Sequence, residues 1–230
     1  MKLGILITVY NEEPRLRNVL DKLNNFNVIV VNDGSTDGTG KIIDSYENVV
    51  KISYKKNKGK GYALNKGLSY IKKNNYDRIV LMDGDGQHNS DEIKKFIKKL
   101  DEGYDFVSGS RFLKYNSNVP ILRKIILFGG RIIEKYVIGI NLTDAHNGFR
   151  AMNKNAIKKI KLSENRMAYA SELMFELIRN DLKYTEVPVK IKYTKETLEK
   201  GTGSLFTGFK ILFRLFGLKI KYLKLNRNIK

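Results

Sequence analysis

Three stretches of this chain share one pattern: a short apolar run, rich in β-branched residues, that breaks off into a polar turn carrying acids and glycine. They are KLGILITVYNEE from Lys2, NVIVVNDGSTDG from Asn27 and IVLMDGDGQH from Ile79. Each run is the length of a strand, and helical signals follow each turn. Asn11 reads as an N-cap with Glu12 and Glu13 in a first helical turn, and Thr36 or Asp37 opens a helix reaching about Tyr46. Val49 to Ser53 is a further strand, and Tyr62 to Lys73 a helix with Leu64, Leu68 and Ile71 on one face. SDEIKKFIKKL predicts another helix and DFVSGSRF another strand. Strands alternating with helices imply an α/β fold: a mostly parallel, Rossmann-like sheet flanked by helices on both faces. Ligands of such sheets sit beyond the carboxyl ends of the strands. TVYNEE, VNDGSTD, MDGDGQH and SGSRF all fall there, so four loops are expected to converge on one cleft.

The second half is less regular. Residues 120–138 are helical in pattern, GFRAM reads as a strand, Ala168 to Arg179 as a helix and Tyr184 to Tyr193 as extended chain. The expected division is a domain over residues 1–200 followed by a basic amphipathic segment over 201–230.

Composition narrows the function. A chain of 230 residues, 42% hydrophobic and 29% charged, is long enough for one well-buried domain. The lack of cysteine excludes a disulfide scaffold and a thiolate metal site, and suits a reducing compartment. The opening residues read as a first strand rather than a secretory signal. A net charge of +19 points to a polyanionic neighbour: nucleic acid, an anionic membrane surface or phosphorylated substrates. No apolar run approaches the roughly 18 to 20 uncharged residues of a membrane span, so any membrane contact is expected to be peripheral.

The DGDG turn carries the chemistry. Residues i and i+2 of a strand point the same way, so Asp83 and Asp85 can reach one point above the sheet edge. Two carboxylates that close repel unless a cation lies between them, and hard oxygen ligands suit Mg²⁺ or Mn²⁺. Gln87 can add a neutral oxygen. An isolated DGDG is equally a turn whose aspartates bond local backbone, and the other loops are what shift the reading. Asp33 sits at an equivalent strand end, where it can accept hydrogen bonds from a nucleobase or ribose. NKGKG offers backbone N–H groups and Lys60 to phosphates, although the chain has no P-loop pattern.

Taken in order, TVYNEE, VNDGSTDGT, NKGKGYALNKG, MDGDGQH, SGSRF and DAHNGFRAM resemble the motifs of the family 2 glycosyltransferases, in particular the polyprenyl-phosphate branch that includes dolichyl-phosphate mannose synthases. The resemblance spans about Lys2 to Tyr193. It implies a GT-A domain that binds a nucleotide-diphosphate sugar, UDP- or GDP-linked, and transfers the sugar with inversion. It places Tyr10, Glu12 and Asp33 around the nucleoside and Asp83 near the ribose or metal, with Asp85 and Gln87 as ligands of the cation on the diphosphate. Asp144 matches the carboxylate near the acceptor. Arg111 and Arg150 match the arginines of the SRF and GFR motifs, and Arg123 the basic site before the acceptor; all three are acceptor candidates because arginine grips phosphate bidentately. His88 and His146 read as supporting residues. Glu172 reads as a helix residue whose neighbours Leu173 and Leu177 pack inward, or as a second acid.

A polyprenyl-phosphate acceptor requires a place at a membrane. Leu205, Phe206, Phe209, Leu212, Phe213, Phe216, Ile220 and Leu223 share one helical face with Lys210, Arg214 and Lys221 opposite, as in an interfacial helix. Ile121, Leu122, Ile125, Phe128, Ile132 and Tyr136 form a second such stripe. The expectation is therefore a peripheral enzyme on the cytoplasmic, inner face of a membrane, held to anionic lipid. The chain departs from the family in lacking transmembrane helices and in reading GTGSL, with Leu205 where the family has lysine. The same donor chemistry on a hydroxyl of a glycan or other soluble acceptor is the nearest alternative. A nucleotidyltransferase and a basic nucleic-acid-binding protein are more distant ones; nucleic acid is not an expected partner, since no helix-turn-helix or RNP-like motif is present and strand-end carboxylates repel phosphate.

Overall fold

A computed structural model describes residues 1–113, 131–132 and 135–191. Arg123, most of the 121–136 stripe, GTGSL and the whole 201–230 segment lie outside the described residues.

The strands are β1 (Leu3–Val9), β2 (Asn27–Asn32), β3 (Val49–Ser53), β4 (Arg78–Asp83), β5 (Phe106–Ser110), β6 (Arg150–Asn153) and β7 (Tyr184–Pro188). They form one sheet in the order β3-β2-β1-β4-β6-β5-β7. Helices with both ends among the described residues are α1 (Glu13–Asp21), α2 (Thr39–Asp44), α3 (Lys60–Lys73), α4 (Ile93–Asp101), α5 (Lys154–Lys159) and α6 (Tyr169–Arg179). No described helix is long and apolar enough to cross a membrane.

Both faces of the sheet are buried, as the uninterrupted apolar runs require. Ile5, Ile7, Val28, Val30, Val80 and Met82 pack with Leu16, Leu20, Phe96 and Leu100 of α1 and α4. Leu6, Ile29, Val31, Ile79 and Leu81 pack on the other side with Leu64, Leu68 and Ile71 of α3 and Leu173 and Leu177 of α6. The period of two assigns each residue its side. It also carries Asp83, in phase with Ile79 and Leu81, to the side of α3.

β6 is antiparallel to both β4 and β5, whereas the other pairings are parallel. Arg150 stands opposite Leu81, so the chain enters β6 from the carboxyl edge of β4. The DAHNGF segment is thereby delivered to the edge where MDGDGQH ends.

Two helix starts differ from expectation. Asn11 is not an N-cap: it has a left-handed φ of 53°, and α1 begins at Glu13 with Pro14 in its first turn. Its main-chain N–H donates to Ser35 Oγ at 3.0 Å and its side-chain Oδ1 accepts from Thr36 N–H at 2.9 Å. α2 begins at Thr39 rather than at Thr36 or Asp37, because the intervening polar groups brace the neighbouring loop. Thr39 Oγ1 accepts from Glu12 N–H at 2.9 Å and Glu13 Oε2 from Gly38 N–H at 2.8 Å. The polar residues of NDGSTDGT thus tie the β1 and β2 loops into one rim.

Candidate active site

At the carboxyl edge of β1, β2 and β4 lies a cavity of about 460 Å³ lined by Tyr10, Glu12, Asp33, Lys60, Asp83 and Asp85, and also by Arg166 and Met167. Six of the donor and metal candidates therefore meet in one place. Tyr10 is 45% exposed. Glu12 holds Arg15 at 2.6 Å.

Asp33 is buried, and its carboxylate is engaged by the loop that follows β3. Oδ1 accepts from Tyr54 Oη at 2.7 Å and Lys58 N–H at 2.8 Å; Oδ2 accepts from Asn57 Nδ2 at 3.0 Å and Gly59 N–H at 2.9 Å. Burial and this contact with Asp33 raise the Tyr54 phenol well above its ordinary value. The NKGKG loop thus turns two of its N–H groups inward to Asp33. Through them, Asp33 shapes the base of the cavity.

Lys60 opens α3 and bonds Asp83 Oδ1 at 2.6 Å. Burial pushes the Asp83 carboxyl up, but the Lys60 ammonium, His88 and Arg150 outweigh it and hold the group at about 2. For Asp85 burial wins, and the charge of Asp83 adds to it, so this carboxyl is pushed up. A pair in which each negative charge opposes the other is one that a cation relieves. Among the described residues no third His, Cys, Asp or Glu joins them in a metal-binding group. Gln87 donates its N–H to Asp85 Oδ1 at 3.0 Å, which fixes the turn. His88 Nδ1 accepts from Asp83 N–H at 3.2 Å while its ring stacks on Phe149 at 4.8 Å. Burial lowers the His88 pKa, and the accepting Nδ1 places the proton of the neutral ring on Nε2.

Arg111, Asp144 and Arg150 are outside the cavity lining, so of the four loops expected to share one cleft the SGSRF loop does not join the other three. Asp144 is buried and grips Arg111 as a fork: Nε to Oδ2 and Nη2 to Oδ1, both at 2.6 Å, with Arg111 N–H at 3.1 Å. Asn147 Nδ2 adds a bond at 3.2 Å. Beneath them Glu186 of β7 accepts from the N–H groups of Thr143 and Asp144 at 2.8 and 3.0 Å, and burial pushes its carboxyl up. Arg150 is 1% exposed, donates from Nη2 to the Ala145 carbonyl at 2.7 Å and leaves Nε without a partner. Glu172 accepts from Ser163 and Glu164 N–H, so it anchors a loop. The two halves of the site touch at Gly148, where a Cβ would stand 2.5 Å from Asp83 Oδ2. A larger residue there would displace the Asp83 carboxylate.

The residues that sequence reasoning did not find are Arg166 and Met167. A signal did exist in the glycines flanking Lys60. Gly59 has φ 101°, and a Cβ on Gly61 would stand 2.0 Å from the Glu164 carbonyl, so both mark where another segment presses on α3.

Comparison with known proteins agrees with this architecture. The family described as Glycosyl transferase family 2 matches residues 4–161. A UDP-N-acetylglucosamine–dolichyl-phosphate N-acetylglucosaminyltransferase of Methanococcus voltae is 34% identical, over 94% of this chain and 95% of its own. A polyprenol monophosphomannose synthase of Mycolicibacterium smegmatis is 26% identical over 87% of this chain and 81% of its own. Among solved structures, mannosyl-3-phosphoglycerate synthase from Rubrobacter xylanophilus superposes with a TM-score of 0.72 at 12% identity, covering 97% of this chain and 75% of that one, and so shares the fold. With the family pattern running from β1 through α5 and a relative matched over nearly its full length, the chain belongs to the family 2 glycosyltransferases.

Proposed function

We propose that this glycosyltransferase moves a hexose from a nucleotide-diphosphate sugar to a polyprenyl phosphate, with inversion at the anomeric carbon. The observation that carries the reading is the meeting of Tyr10, Asp33, Lys60, Asp83 and Asp85 in one cavity at the carboxyl edge of the sheet. Relatives named for transfer to dolichyl phosphate and to polyprenol monophosphate support the acceptor class.

In this reading Tyr10 stacks on the base, and Asp33 acts through the loop it holds. Asp83 and Asp85, with the side chain of Gln87, would hold Mg²⁺ or Mn²⁺; the mutual opposition of the two carboxylates fits such an ion, and donor phosphates and water complete its shell. A divalent cation bound there supplies Lewis-acid stabilisation of the charge on the departing nucleoside diphosphate. Lys60, fixed by Asp83, adds positive charge on the same side.

The state of Asp144 bears on the acceptor. Asp144 is buried and both its oxygens bond Arg111, so it is poorly placed to take a proton from an acceptor hydroxyl. A phosphate acceptor makes no such demand, because a phosphate monoester with its second pKa near 6 is already largely ionised at pH 7. Asp144 then acts by holding Arg111 in place at the end of β5. The basic residues outside the described region, Arg123 among them, are assigned to the lipid phosphate and to an anionic, cytoplasmic membrane face.

The test has two stages. Calorimetry with UDP- and GDP-sugars in the presence of Mn²⁺ or Mg²⁺ is expected to show binding that EDTA and Asp85→Ala abolish. Radiolabelled sugar should then pass to a polyprenyl phosphate and not to free glycans. Transfer to a soluble hydroxyl acceptor at a comparable rate would refute the lipid-phosphate assignment.

A further inference from the structure

The loop over residues 160–168, between α5 and α6, forms a wall of the cavity that no motif indicated. Main-chain bonds fix it against the start of α3. Tyr62 N–H donates to the Asn165 carbonyl and Asn65 Nδ2 to the Leu162 carbonyl, both at 2.9 Å. Ser163 and Glu164 N–H donate to Glu172 at 2.9 and 2.8 Å. The two glycines around Lys60 let the loop come this close: a Cβ on Gly59 would stand 2.5 Å from the Asn165 carbonyl and 2.9 Å from Arg166 Cγ. The stem of Arg166 therefore lies against Gly59, and both residues line the cavity beside Lys60.

The guanidinium is in a different situation from the other lining charges. Lys60 is paired with Asp83 and Glu12 with Arg15, each at 2.6 Å, and Asp33 accepts four hydrogen bonds. Arg166 is exposed, and its side chain makes no hydrogen bond or ion pair with any described residue. An uncommitted cation on a main-chain-fixed loop, facing a nucleotide-sized cavity, has the chemistry of a phosphate ligand: a planar fork that binds oxyanions bidentately. We propose that Arg166, beside Gly59 and Lys60 in the cavity lining, is a binding residue for the phosphate oxygens of a nucleoside diphosphate. This rests on the nucleotide-sugar reading above.

The experiment titrates wild type, Arg166→Met and Arg166→Lys with UDP, GDP, uridine, guanosine and farnesyl phosphate in the presence of Mn²⁺, with thermal unfolding of each variant alongside. Arg166→Met is expected to weaken the bound nucleoside diphosphate about 10-fold or more, as loss of a charge-assisted hydrogen bond does, and to change nucleoside affinity by less than about 2-fold. Arg166→Lys should fall between, since it keeps the charge but loses the fork. Unfolding should be unchanged, because no described bond is removed. Unaltered diphosphate affinity in Arg166→Met, equal losses for diphosphate and nucleoside, or a marked drop in thermal stability each overturns the proposal alone. Weakened farnesyl phosphate with unchanged nucleoside diphosphate overturns the donor assignment of Arg166. A wild-type protein that binds neither UDP nor GDP overturns the donor-site reading and this proposal with it.

Discussion

Replacing Asp144 by alanine would expose how this site is held together. The substitution deletes the acceptor of two guanidinium bonds at 2.6 Å and leaves a cation whose side chain is 8% exposed facing an emptied pocket. Breaking a buried ion pair by removing one partner typically costs about 3 to 5 kcal/mol, because the remaining charge is desolvated without compensation. Against a total stability on the order of 5 to 15 kcal/mol, that is a large fraction. With a urea slope of about 3 kcal/mol/M, the unfolding midpoint should fall by about 1 M or more. Arg111→Met should cost a comparable amount by stranding the carboxylate. The double variant should cost clearly less than the sum of the two, since it removes both charges at once, with a coupling energy on the order of 2 kcal/mol or more. Urea unfolding followed by circular dichroism measures all four corners of the cycle. A loss under about 1 kcal/mol in Asp144→Ala, or single effects that add to within about 0.5 kcal/mol, would refute the argument that this pair is a buried, mutually dependent unit.

Other consequences can be checked separately. Asp83, held at about 2 against an ordinary 3.8, contributes about 2 kcal/mol that is fully present above roughly pH 4 and is lost as pH falls through about 2; in Lys60→Met that acid limb should begin at higher pH in a stability profile. Gly61→Ala should lower stability by about 1 to 3 kcal/mol or more, because the new Cβ would meet the Glu164 carbonyl, a backbone atom, at 2.0 Å; thermal unfolding reads it directly. Gly148→Ala should displace the Asp83 carboxylate and weaken nucleotide-sugar binding about 10-fold, or ~1.4 kcal/mol, by calorimetry; unchanged affinity would show that the acceptor loop does not constrain the donor site. Chelation of divalent cations should reduce nucleotide-sugar affinity in wild type and have no further effect in Asp85→Ala.

The strands, α3 and the edge on which the site forms were legible because each rests on a local regularity. Apolar runs marked the strands, a 3.6-residue repeat marked Leu64, Leu68 and Ile71, and the parity of β4 turned Asp83 to the side of α3; Asp85 lies past the end of β4, in the turn, so strand parity does not orient it. Helix starts were less legible. Asn11, Thr36 and Asp37 have the composition of caps, yet Asn11 bonds Thr36 and Asp37 accepts from Glu13 N–H across two loops, and a pattern read along one segment does not register a partner about 25 residues away. The roles of charged residues were hidden for the same reason: Asp33 and Asp144 were found as carboxylates at strand ends, but not as the anchors of a loop and of an arginine.

The sequence by itself determined the layered α/β architecture, the convergence of the β1, β2 and β4 loops and the family, because these follow from periodicity and from motif order along the chain. The tertiary structure decided which charges are left to meet a ligand. Asp33, Asp144 and Lys60 are committed internally, and the side chain of Arg166, on a loop about a hundred residues downstream of Lys60, has no partner among the described residues. The physical reason is that a side chain's availability depends on whether folding supplies it with a partner, and those partners come from segments distant in sequence.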